Sequence, residues 1–94
     1  MTDDDKLEKA MGQGARADAL LRSDAFCDAV AAVRQALMDR WLIAKDASER
    51  ERIWLAVNLI EQVRGALASA AGNGKLAQRE LDEIATGRRR RFGL

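Results

Sequence analysis

The sequence predicts an all-α fold: a long antiparallel helical hairpin over about residues 24–44 and 47–71, with short N- and C-terminal helices and a basic tail. Three observations lead there. Apolar residues return every three or four positions along two long stretches, which is the period of one helix face. The 94 residues contain no proline and only four aromatics, Phe26, Trp41, Trp54 and Phe92. Strands of an all-β domain need β-branched and aromatic residues set between turn residues. Finally, 48% of the chain is hydrophobic, much of it alanine, and 33% is charged. That is the composition of helices with broad apolar faces and charged outer ones.

Each element has its own signals. Thr2 or Asp3 can cap a first short helix by accepting orphan backbone N–H groups. Asp3, Asp4 and Asp5 suit the positive end of its dipole. Gly12 and Gly14 each cost up to about 1 kcal/mol against Ala inside a helix, so a break is expected at 11–14. A second short turn of helix then covers Ala15 to Leu21. Ser23, with Asp24 behind it, is an N-cap for the next helix. Phe26, Val30, Val33, Leu37, Trp41 and Ala44 draw one apolar stripe along it, roughly 30 Å long at about 1.5 Å per residue.

Lys45, Asp46 and Ala47 form the connection. Two capping boxes compete there, Asp46 with Glu49 and Ser48 with Glu51. Arg50 and Arg52 join these carboxylates in what reads as caps and intrahelical pairs. The helix that follows carries Ile53, Val57, Ile60, Val63, Leu67 and Ala70, broadened by Leu55, Ala56, Leu59 and Ala66. Gly65 within it marks a weak point or a close helix crossing. Gly72-Asn73-Gly74 reads as a C-cap, since both residue types accept left-handed backbone. Lys75 to Thr86 reads as a last short helix, stopped by Gly87. So short a connection forces the two long helices to run antiparallel. Trp41 and Trp54 then meet near the closed end. They serve either as core residues clamping the turn or as an exposed interface anchor, since Trp is enriched where partners bind.

Residues 1–87 form a single helical domain and 88–94 a basic tail. The tail holds Arg88, Arg89, Arg90 and Arg91, followed by Phe92, Gly93 and Leu94. Without those four arginines the sixteen cationic side chains fall to twelve against fifteen carboxylates, so the body is acidic and the tail alone brings the net charge to +1. Four adjacent guanidiniums repel one another and stay solvated until an anion neutralises them. The tail is therefore a solvated terminus, a phosphate binder, or a dock for an acidic protein surface with Phe92 and Leu94 as apolar anchors. Phe92 can equally stack on a base.

Catalysis is not expected. The chain has no histidine and no tyrosine, and Cys27 is its single cysteine. This removes the commonest general base, the usual nucleophile activation schemes, mixed His/Cys zinc sites and any internal disulfide. Gly12-Gln13-Gly14 and Gly72-Asn73-Gly74-Lys75 lack the spacing of nucleotide-binding loops. Asp3, Asp4 and Asp5 do not match a calcium loop. No metal, cofactor, small-molecule substrate or membrane is expected as a partner. The acidic start, with no apolar run, is not that of a signal peptide.

The run Asp46-Ala47-Ser48-Glu49-Arg50-Glu51-Arg52-Ile53-Trp54, then Val63-Arg64 and Gly74-Lys75-Leu76-Ala77, resembles small helical proteins encoded by tailed bacteriophages and prophages near head and packaging genes. The resemblance spans residues 24 to 91. It implies a phage protein, in the host cytoplasm or the virion, that acts in virion assembly or DNA packaging. A small-terminase-like or head or connector component would fit. The expected partners are the chain itself as a homo-oligomer, other phage structural proteins, and DNA through the arginines. The alternative is a small helical adaptor that binds and regulates a host protein.

Overall fold

The computed structural model of the protein describes residues 2–91, with side chains through Arg88. Three helices make up the described residues: α1 (Asp3–Arg22), α2 (Asp24–Ile43) and α3 (Ala47–Arg91). The all-helical expectation holds; the element boundaries differ from it in three places.

Helix α1 starts where Thr2 closes a capping box. Its hydroxyl accepts the Asp5 N–H at 3.2 Å, and the Asp5 carboxylate accepts the Thr2 N–H at 3.3 Å. The helix then passes through Gly12 and Gly14 without the expected break and runs for 20 residues. Ser23 interrupts the chain for one residue. Its extended backbone (φ −66°, ψ 127°) ends α1, and its hydroxyl caps α2 by accepting the Phe26 N–H at 3.3 Å.

Helix α3 is the frame of the molecule. Its 45 residues span about 67 Å at about 1.5 Å each, and the whole protein measures 72 × 24 × 17 Å. Helices α1 and α2 lie end to end along α3 and antiparallel to it. Asp4, in the first turn of α1, meets Arg88 near the end of α3. Gly14 meets Gly74, and Arg34 of α2 meets Glu61 at 3.5 Å. Helices α2 and α3 run antiparallel about residues 44–46, and the second is more than twice as long as the first.

Two expectations are corrected by one contact. A Cβ placed on Gly14 would sit 2.6 Å from the Gly74 Cα and 2.7 Å from the Ala70 carbonyl oxygen; one placed on Gly74 would sit 2.8 Å from the Gly14 Cα. The two backbones touch here. Gly74 is glycine because α1 leaves no room for a side chain, so 72–74 stays helical and the separate 75–86 helix becomes the second half of α3. Gly87 does not end it either. Arginine is a good helix former, and cations at a helix C-terminus are favoured by the dipole, so α3 continues to Arg91 through the expected tail boundary at 87/88.

The seam follows a three-four repeat on α3: Leu67, Ala70, Gly74, Ala77, Leu81 and Ile84 are all buried or half-buried. What it encloses is small. The buried apolar residues are Ala17, Ala44, Ile53, Ala71 and Ala77, and no described side chain is fully buried. Helix α2 has no buried residue at all.

The glycines therefore sort by environment. A Cβ on Gly72 would meet nothing within 4 Å, so Gly72→Ala is expected to stabilise by about 1 kcal/mol through helix propensity alone. Gly14→Leu also installs a good helix former, yet is expected to destabilise by about 1–3 kcal/mol or more through overpacking. Thermal melts at one fixed protein concentration check both signs, at about 4–8 °C per kcal/mol for a chain of this size.

Candidate functional site

Two regions at opposite ends of α3 carry the candidate residues. The first is the closed end of the hairpin. Asp46 wins the capping competition there, accepting the Glu49 N–H at 2.7 Å. Arg50 does not form the intrahelical pair expected of it. Its Nη2 donates to the Ala44 carbonyl at 3.3 Å, satisfying an orphan acceptor at the end of α2. Its guanidinium also lies 5.9 Å from the centre of the Trp41 ring, within cation–π range. Arg50 thus ties the turn together, a role that sequence spacing does not reveal because its partners lie on the preceding helix.

Trp41 and Trp54 share this end, as expected. Neither is core: Trp41 is 37% exposed and Trp54 56%. Leu37, Met38, Trp41, Ile53, Trp54 and Val57 line an open groove of about 220 Å³ between α2 and α3, with apolar side chains only.

A second apolar flank lies on the other side of the same hairpin. At about 100° per residue, Leu55, Leu59 and Val63 fall on the side of α3 away from Trp54. Their exposures are 49%, 61% and 56%, and Val33, half-exposed, approaches the same side from α2. The charges agree with this division. The Arg34–Glu61 pair lies on the Trp54 side, whereas Arg40 and Arg52 line the opposite groove with Ala56. The breadth of the apolar arc in the sequence already signalled more surface than one seam can cover.

The second region is the basic end. Arg88 Nη2 lies 3.0 Å from Asp4 Oδ2, with the two side chains 64% and 41% exposed. Arg88 thus stays largely in solvent but has a carboxylate neighbour that the sequence did not show, because the antiparallel seam sets an acidic helix start beside a basic helix end. The backbone of Arg89, Arg90 and Arg91 continues α3. The side chains of these three, and Phe92 as a whole, lie outside the described residues. The structure does not bring the arginines and the tryptophans together; the length of α3 separates them.

Among the described residues no cluster of three or more His, Cys, Asp or Glu could hold a metal ion. Cys27 is exposed, with its thiol 3.2 Å from the Leu21 carbonyl across the Ser23 break. No helix is long and apolar enough to cross a membrane among the described residues. Compared with family models, curated proteins and solved structures, the chain matches none.

An ion pair this exposed is worth about 0–1 kcal/mol. Asp4→Asn is therefore expected to shift the urea midpoint of unfolding only slightly, leaving Arg88 available to other anions without loss of the fold. A large drop in the midpoint would make the pair structural instead.

Proposed function

We propose that this is a non-enzymatic phage protein that self-associates through its hairpin end and acts in virion assembly or DNA packaging, with Arg88 to Arg91 contacting DNA or an acidic partner. The observation that carries the self-association is the exposed apolar surface at that end, where Trp54, Leu59, Val63 and Met38 are each more than half exposed. Apolar surface on this scale on a small chain marks an interaction site. The phage assignment rests on the resemblance of residues 24–91 to small phage-encoded helical proteins. The absence of catalytic chemistry rests on the residue inventory, which has no histidine, no tyrosine and one cysteine.

The basic end fits a contact whose strength comes from copy number. One quartet of arginines neutralising about four phosphates gives weak, sequence-blind binding, and several quartets in one assembly raise it by avidity. Phe92 would add base stacking or an apolar anchor.

Light scattering on the purified chain is expected to give a defined multiple of 10.4 kDa. A monomer at micromolar concentration would overturn the self-association and leave the host-directed adaptor. In a duplex shift assay, binding by the basic end is expected to fall roughly a hundredfold between about 50 and 200 mM salt for each engaged quartet, a slope near −3.6. Deleting residues 88–94 should abolish that binding. Binding absent from the intact chain, or unchanged by the deletion, would overturn the nucleic-acid role and leave a solvated terminus or a dock for an acidic protein.

A further inference from the structure

We infer that copies of this chain associate head to tail: the tryptophan groove on one side of the hairpin receives the aliphatic flank on the opposite side of the next copy. This rests on the self-association proposed above and specifies its surfaces.

Area comes first. The chain exposes 7324 Å². A compact monomer of 10.4 kDa exposes about 5,400 Å² by the usual scaling of surface with mass. The surplus is therefore about 1,900 Å². A standard protein–protein interface removes about 800 Å² from each partner. Spread over a chain 72 × 24 × 17 Å in extent, this surplus leaves room for two such contacts on each copy.

The distribution of that surface is the second observation. Apart from Leu42 and Ile43 beside the turn, 72% and 76% exposed, the exposed large apolar residues of the hairpin divide into two sets on opposite sides of the α2–α3 plane. One is the groove walled by Met38, Trp41 and Trp54; the other is the row Leu55, Leu59 and Val63 along α3. A two-fold dimer pairs a patch with itself. It would cover one of these sides and leave the other wet. Joining unlike patches covers both on every interior copy.

The shapes match in kind. The groove is about 220 Å³, open, and lined by apolar side chains alone. The flank offers branched aliphatic side chains four residues apart, which stand as a ridge along one face of a helix. Ridge into groove is how helices pack, and large aromatic walls around the seat are the common form of an interface hot spot. Contacts between unlike patches repeat. A ring closes when the rotation per copy permits, and ring closure is what gives the defined multiple expected above.

Two experiments test this, both on the full chain. The first uses cysteine placement, with Cys27→Ala as background and a short bis-maleimide as probe. Met38→Cys lies on the groove side and Leu59→Cys on the flank. Carrying both, the chain is expected to give a ladder of cross-linked species beyond the dimer; with either alone, no cross-linked dimer. A dimer from one single variant would show self-pairing of that face and overturn the head-to-tail arrangement.

The second experiment blocks each face with charge. Trp54→Glu and Leu59→Glu are each expected to be monomeric by light scattering while keeping the helical circular dichroism of the parent. Mixed in equal amounts, they should form a dimer of one copy of each, because each contributes the face the other has lost. A mixture that stays monomeric, with helicity intact, would overturn the proposal. The outcomes are separable from those of the preceding section. A monomeric parent chain removes self-association itself, whereas an oligomeric parent with self-pairing single-cysteine variants removes only the head-to-tail arrangement.

Discussion

The structure depends on two helices touching backbone to backbone at Gly14 and Gly74. The residues in contact at this point, Gly14 and Gly74 with Ala10 and Ala70, carry only hydrogen or methyl, so the seam gains from close backbone approach rather than from large buried groups. Removing the side chains lets the axes come near enough for Ala10, Ala17, Ala70, Ala71 and Ala77 to share the contact. Everything distal follows. Because α1 is seated there, α3 is supported along its second half and carries through 72–74 and 87 without stopping. The acidic start of α1 is consequently delivered to the basic end of α3.

The same economy of size limits what the monomer can do. Alanine and glycine bury little apolar area, and hydrophobic stabilisation scales with that area at about 25 cal/mol per Å². Among the described residues, nine of the eleven exposed large apolar side chains sit at the hairpin end, between positions 33 and 63, and there α2 and α3 leave an open groove between them rather than interlocking. The chain thus divides its work: a tight seam of small residues holds one half together, and a loose hairpin holds its large apolar groups outward at the other.

Much of this was legible in the sequence where the deciding interaction is local. Ser23 reads as an N-cap because its hydroxyl bonds to a backbone group three residues on. Thr2 and Asp46 are each one of two candidates, Asp3 and Ser48 being the others, and the antiparallel course of α2 and α3 follows from a connection of three residues, 44–46. What the sequence concealed depends on partners far along the chain. A glycine serves equally as a left-handed cap or as a site of close approach, and only Gly14, sixty positions away, selects the second use at Gly74. Arg50 looked like half of a helix-surface pair because its neighbours are charged; its actual partners, Ala44 and the Trp41 ring, lie across a turn. The run of four arginines read as a loose arm because repulsion was weighed without the favourable field of the helix end on which it sits.

An unbroken α3 also sets a distance. From Trp54 to Arg88 is 34 residues of continuous helix, or about 50 Å, several times the roughly 8 Å over which salt screens a charge under physiological conditions. Events at the guanidinium end are thus electrostatically silent at the tryptophan end, and the chain is a stiff spacer with two insulated heads. Each copy added through one head holds a further cationic tip at the same height above the joint, so the reach of an assembly from joint to tip is a constant written into the number of residues in one helix.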